Sequence, residues 1–101
     1  GVYVVRRLKQ YGGVAEEAND NEIIEGILTL AKTEGIFTEP AGGVSVAVLK
    51  KLVDDGFIER NEKVVCYVTG NGLKSTEAIM SALPKLDIVK PDVQTVSAMI
   101  S

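Results

Sequence analysis

The segment that most limits the fold is Val64-Val65-Cys66-Tyr67-Val68, five apolar or β-favouring residues with no alternation of polarity. A run of that kind reads as a strand covered on both faces, as in a parallel sheet. It stops abruptly at Thr69-Gly70-Asn71-Gly72. Such a strand needs other strands beside it and helices above and below. The rest of the chain offers good candidates for the helices and few for the strands.

The clearest helix runs over residues 20–34. Asn19 is a capping residue, and Glu22 stands three positions on, where its carboxylate can reach back to the Asn19 amide. Ile23, Ile24, Ile27, Leu28 and Ala31 then fall on one helical face, and Gly35 supplies the stop. A second helix is predicted from Pro40, whose fixed φ suits the first helical position. It begins with Gly42, Gly43 and small apolar residues, and turns amphipathic only at Lys50-Lys51 before Asp54-Asp55-Gly56 closes it. Each glycine costs about 1 kcal/mol relative to alanine inside a helix. Gly42 and Gly43 therefore imply that something approaches that helix closely.

Residues 2–10 carry apolar positions at helical spacing and end at Gly12-Gly13, although their β-branched content leaves a strand open. Residues 14–18 read as an edge strand and residues 36–39 as a short extended piece. Residues 75–83 read as one more short helix before Pro84. Alternating helices and strands joined by right-handed crossovers give an α/β layer with a parallel sheet. A sheet of two or three strands leaves an open edge, and such edges are normally paired or covered. The pattern thus also reads as part of something larger. The opening at Gly1, in mid-pattern and with no initiator methionine, agrees with a mature product, an engineered piece or a fragment.

Composition narrows the function classes. The chain has 101 residues, enough for one domain, and a formal charge of −3. The acidic balance argues against nucleic acid, and the lack of tryptophan argues against a base-stacking platform. With no histidine and one cysteine, Cys66, the usual zinc sets, a His-based triad and an internal disulfide are excluded. A lone cysteine suits a reducing compartment, and inside a strand it reads as a buried, inert thiol. No apolar run approaches the ~18 residues of a membrane span.

Two places could carry chemistry. In open α/β sheets, ligands bind beyond the carboxyl ends of the strands. The run at 64–68 delivers Thr69-Gly70-Asn71-Gly72 to that edge, with a hydroxyl first and glycines that let a ligand come close. The same residues also make an ordinary turn. The loop is neither a phosphate-binding loop, for lack of four residues before its Gly-Lys pair, nor a dinucleotide fingerprint, since Ser75 replaces the third glycine. The second place is Glu39-Pro40-Ala41-Gly42-Gly43, a helix start that suits either an anion or close packing on the sheet. If both strands are parallel, Thr69 and Glu39 open onto one crevice.

Two stretches together carry a resemblance. Glu34-Gly35-Ile36-Phe37-Thr38-Glu39-Pro40-Ala41-Gly42-Gly43-Val44 and Val64-Val65-Cys66-Tyr67-Val68-Thr69-Gly70-Asn71-Gly72-Leu73-Lys74 resemble paired motifs of threonine synthases, in order and at a fitting distance. The capped start at Asn19-Asp20-Asn21-Glu22-Ile23, preceded by Gly12-Gly13, agrees. The resemblance covers residues 1–83 and does not extend past Pro84.

It implies a pyridoxal 5'-phosphate enzyme of fold type II, the tryptophan-synthase-β-like fold. The chain would be the C-terminal part of a three-layer αβα large domain with a small parallel sheet. Residues 1–83 would belong to that domain and residues 84–101 to a C-terminal tail. The family converts O-phosphohomoserine and water to threonine and phosphate. Its residue at the position of Thr69 hydrogen-bonds the pyridine nitrogen, and Gly70 lets the backbone pass close to the ring. The implied partners are the substrate, the remaining N-terminal part of the enzyme and a second copy in a homo-oligomer, with neither nucleic acid nor membrane, in the cytoplasm.

The family's cofactor-linking lysine lies in a Ser-Phe-Lys-Asp-Arg-like stretch. None of the eight lysines here has those neighbours, so the chain alone is expected to be inactive and free of bound cofactor. The competing readings are a fragment of a threonine dehydratase or cysteate synthase, and a free-standing, non-catalytic α/β interaction module. Thr69-Gly70-Asn71-Gly72-Leu73-Lys74 favours threonine synthase over the dehydratases, which usually place serine at the first position.

Overall fold

A computed structural model describes residues 2–101. Its centre is a pair of helices, α2 (Asp20–Glu34) and α3 (Pro40–Asp54), folded back on each other across residues 35–39. Before them stands α1 (Val2–Tyr11). After them come an irregular stretch at 63–69, a single 3₁₀ turn at Gly72–Lys74, the one-turn helix α4 (Glu77–Met80) and the tail helix α5 (Val93–Ile100).

The start of α2 is built as its sequence prescribes. The Glu22 amide donates to Asn19 Oδ1 at 3.0 Å, and the Asn19 amide donates to Glu22 Oε2 at 2.8 Å. Two amides with no partner inside the helix are thereby satisfied reciprocally. Gly35 closes α2 at φ 66°, where its amide donates to the Ala31 carbonyl. Pro40 opens α3 at the first helical position.

The close approach implied by Gly42 and Gly43 is present, but the partner of Gly43 is a helix and not a sheet, and that of Gly42 is the Thr38 side chain. A Cβ on Gly43 would stand 2.6 Å from the Ile23 carbonyl oxygen and 2.7 Å from Ile27 Cγ1. A Cβ on Gly26 would meet the Gly43 carbonyl oxygen. Gly26 and Gly43 therefore let the two backbones touch, and Ile27 and Ala47 are buried beside them. At the far end of the contact, Lys51 Nζ pairs with Glu22 Oε2 at 2.9 Å and donates to the Glu17 carbonyl at 2.7 Å. That places the capping box and the last turns of α3 together.

The parallel sheet expected from the sequence is not formed among the described residues. Residues 64–68 form neither helix nor ladder. Val65 and Tyr67 are more than three-quarters exposed, while Cys66 and Val68 are half-buried. Residues 64–67 line a shallow groove together with Ser45, Val48 and Leu52 of α3. One face is thus covered where two were expected, because no neighbouring strand or outer helix layer is there to cover the other. Residues 14–18 likewise form no ladder. Their length allows a strand, but pairing needs a partner backbone and none lies alongside. The only bridge among the described residues joins Thr38 and Asn71, and it is antiparallel.

α1 is helical, which resolves the helix-or-strand ambiguity of residues 2–10, and it closes at Gly12 with φ 67°. None of its residues is buried, and Val2, Tyr3, Val4 and Tyr11 are each more than 60% exposed. The short helix read over 75–83 contracts to the single turn of α4, which buries Ile79. In the tail, Asp92 caps α5 through its carboxylate, accepting from the Thr95 amide at 2.8 Å and the Thr95 hydroxyl at 2.7 Å. Ile27, Ala47 and Ile79 are the buried apolar side chains among the described residues. The radius of gyration is 18.4 Å, against about 13 Å for a compact domain of this length. Among the described residues, no helix is long and apolar enough to cross a membrane.

Candidate cofactor-facing loop

The two places singled out in the sequence are brought into contact. The Glu39 amide donates to the Gly70 carbonyl at 3.2 Å, and the Gly72 amide donates to the Phe37 carbonyl at 3.0 Å. Residues 37–39, which lead into α3, are thereby tied to residues 70–72, which follow the irregular stretch at 63–69. Thr38 completes the tie. Its side chain is 1% exposed, and its hydroxyl lies 3.1 Å from the Gly70 carbonyl oxygen and 3.3 Å from that of Glu39. The Gly70 carbonyl thus accepts from both a backbone amide and a buried hydroxyl.

The glycines here give way to neighbouring side chains. A Cβ on Gly70 would collide with the Glu39 carboxylate, one on Gly72 with the Phe37 ring, and one on Gly42 with the Thr38 side chain. Each glycine therefore makes room for one residue of the 37–39 segment. The amides of Gly42 and Gly43 both donate to the Glu39 carbonyl, at 3.0 and 3.2 Å. Between the two readings of that helix start, close packing accounts for these glycines.

Thr69 is exposed, one residue before this fixed point. The loop beyond it is held by Asn71, whose side-chain oxygen accepts from the Leu73 amide at 2.9 Å. Lys74 Nζ lies 3.9 Å from Glu39 Oε2, and the Lys74 side chain is 70% exposed, so this pair contributes little. Cys66 is free and half-buried, less enclosed than a strand interior would make it. Among the described residues, no group of three acidic or thiol side chains could hold a metal ion.

Sequence reasoning did not single out Thr38. The signal was slight: a β-branched hydroxyl residue four positions before Gly42, where only a glycine leaves room for it.

An exposed hydroxyl thus stands on a pinned turn, next to a glycine and a helix start. The ionisable groups beside it are the Glu39 carboxylate and the Lys74 amine. Comparison with known proteins defines the class: residues 1–70 match the family of pyridoxal-phosphate dependent enzymes, and the chain belongs to that family. More particularly, it is similar to threonine synthases. It is 51% identical to that of Methanocaldococcus jannaschii over 71 residues, which is 70% of this chain and 18% of the relative. It is 43% identical to that of Mycobacterium tuberculosis over 75 residues, 74% of this chain and 21% of the relative. With that of Methanosarcina acetivorans it shares 39% identity over 93 residues, 92% of this chain and 23% of the relative. A 93-residue match in a chain of 101 reaches past Pro84 into the tail. The chain spans about a fifth of the length of the curated relatives it matches.

Proposed function

We propose that this chain is part of a threonine synthase, an enzyme that converts O-phosphohomoserine and water into threonine and phosphate with pyridoxal 5'-phosphate. The motifs around Glu39 and Thr69 and the similarity to threonine synthases support this reading. The membership of residues 1–70 in a pyridoxal-phosphate dependent family favours it over a free-standing interaction module. Residues 1–83 are read as the C-terminal portion of the αβα large domain and residues 84–101 as its tail. Strands from the remainder of the enzyme would complete the sheet beside residues 64–68. A homo-oligomer in the cytoplasm belongs to the same reading, in keeping with a single free cysteine.

The donor set fits one end of the cofactor. Thr69 offers an exposed, neutral hydroxyl, which suits an uncharged pyridine nitrogen, and Gly70 keeps the adjoining backbone slim. When bound, the cofactor supplies an electron sink for the substrate's amino-bearing carbon. The chain's own part is narrower. Thr69 would hold the ring by its nitrogen edge and leave that nitrogen unprotonated, which moderates the sink. The lysine and the phosphate cradle must come from other residues of the complete enzyme, so this chain alone is read as inactive.

The observation that supports a place for Thr69 in such a site is the double anchoring of the Gly70 carbonyl by Thr38 and Glu39, which fixes the turn and leaves the Thr69 side chain open. The test is Thr69→Val in the complete enzyme, a β-branched replacement of like volume. Loss of one neutral hydrogen bond, about 0.5–1.5 kcal/mol, corresponds to a drop in turnover of roughly two- to thirteenfold. The cofactor absorbance should move with it. Unchanged turnover and an unchanged spectrum would remove Thr69 from the site.

A further inference from the structure

Thr38 is the one polar side chain fully buried among the described residues. Nothing about its own helix requires a hydroxyl there. The α3 cap position is Glu39, whose side chain forms no capping bond. Thr38 instead points at the Gly70 carbonyl, 32 residues away in sequence. The room for it is made by Gly42, where a Cβ would strike the Thr38 hydroxyl and methyl groups. Gly42 sits in a helix, where glycine is costly, so the chain accepts a weaker helix start to seat this side chain.

We infer that Thr38 is a positioning residue: its buried hydroxyl sets the height and orientation of the 69–72 turn, and so of the Thr69 hydroxyl. This inference rests on the reading of Thr69 as the partner of the cofactor ring. The Gly70 carbonyl has two donors, so removing the Thr38 hydroxyl leaves the Glu39 amide still in place. The turn is then held by backbone bonds alone and can rock about them. The acceptor is not orphaned, and the fold should survive the loss. Residues 37–39 and 70–72 also bracket the only bridge among the described residues, so no neighbouring ladder compensates within this chain.

The experiment uses the complete enzyme with Thr38→Ser, Thr38→Val and Thr38→Ala, beside Thr69→Val. Hydrogen exchange is followed in the cofactor-free enzyme, and the absorbance of the bound cofactor and steady-state kinetics in the loaded one. Thr38→Ser keeps the donor and should behave as the parent. Thr38→Val and Thr38→Ala should speed exchange over residues 69–74 several-fold and leave α2 and α3 unchanged. They should shift the cofactor band in the sense that Thr69→Val shifts it. They should also lower kcat about three- to tenfold with KM little altered, and add nothing further in the Thr69→Val background.

Exchange at 69–74 that ignores the hydroxyl, or that rises equally in α2 and α3, overturns the inference, as does a serine variant as impaired as the valine one. Should Thr38→Val fail to fold, Thr38→Ala and Thr38→Ser decide the matter by the same comparison. If Thr69→Val leaves the cofactor band unmoved, the reading of Thr69 fails. The exchange data then still show separately whether Thr38 pins the turn.

Discussion

Replacing Gly43 by alanine sets two effects of similar size against each other, and the contact between α2 and α3 decides the sign. Alanine is the better helix former by about 1 kcal/mol. The new Cβ, however, would stand 2.6 Å from the Ile23 carbonyl oxygen and 2.7 Å from Ile27 Cγ1. The second contact falls about 0.8 Å short of ordinary carbon–carbon separation. The Ile23 oxygen belongs to the α2 backbone and cannot swing aside. Ile27 is 1% exposed and has little free space to turn into. The helices must therefore separate along the line where Gly26 faces Gly43. Overpacking of this kind costs about 1–3 kcal/mol, so the net effect is destabilising by roughly 1 kcal/mol once the propensity gain is subtracted. Urea unfolding followed by far-ultraviolet circular dichroism reads it directly. With a slope of 1–3 kcal/mol per molar, the midpoint should fall by roughly 0.5 M. Gly26→Ala should act alike, and the double variant should lose less than the sum, because the first change already parts the helices. A midpoint that stays put or rises in Gly43→Ala would mean that the helices do not pack through these glycines.

Three further outcomes are expected. The Asn19 amide, and after it Lys51, hold the Glu22 carboxyl below its ordinary value of 4.5; the folded value being the lower one, this stabilisation is complete above pH 4.5 and is lost as the pH falls through the folded value. Acid titration should therefore loosen α2, and Glu22→Gln should show a flatter acid limb; equal acid limbs in the two proteins would refute the coupling. The isolated chain should self-associate, since Ile88, Leu86, Val93, Ile100 and Tyr3 are each at least 80% exposed, and a sharp monomer in concentrated sedimentation runs would count against it. The isolated chain should also carry no covalently linked pyridoxal phosphate, and a visible-edge absorbance band that survives gel filtration and vanishes with borohydride would contradict that.

Local chemistry was legible in the sequence where it depends on residues a few positions apart. The Asn19–Glu22 capping box, the Gly35 stop and the Pro40 start all appear where their spacing puts them, because each is completed within one turn. The glycine pair at 42–43 announced a close neighbour but could not name it, since a glycine records only that a side chain must be absent. Strand pairing was not legible. Residues 64–68 have the composition of a covered strand, but a ladder depends on a second backbone, and none of the described residues pairs with them. Thr38 stayed hidden because its partner is 32 residues away and its character, a single buried hydroxyl, leaves no periodic trace. Thr69 and Glu39 were expected on one edge of a parallel sheet. Their loops do meet, through an antiparallel bridge just past residues 64–68.

The central claim is that these residues belong to a threonine synthase. The complete enzyme, supplied with pyridoxal 5'-phosphate and O-phosphohomoserine, should release threonine and inorganic phosphate in equal amounts. Both products are read from the same reaction, by amino-acid analysis and by a phosphate assay. Threonine and phosphate rising together, and falling together in Thr69→Val, is the predicted result. Release of a 2-oxo acid and ammonia from added threonine, with no phosphate formed from O-phosphohomoserine, would contradict the account and favour a dehydratase.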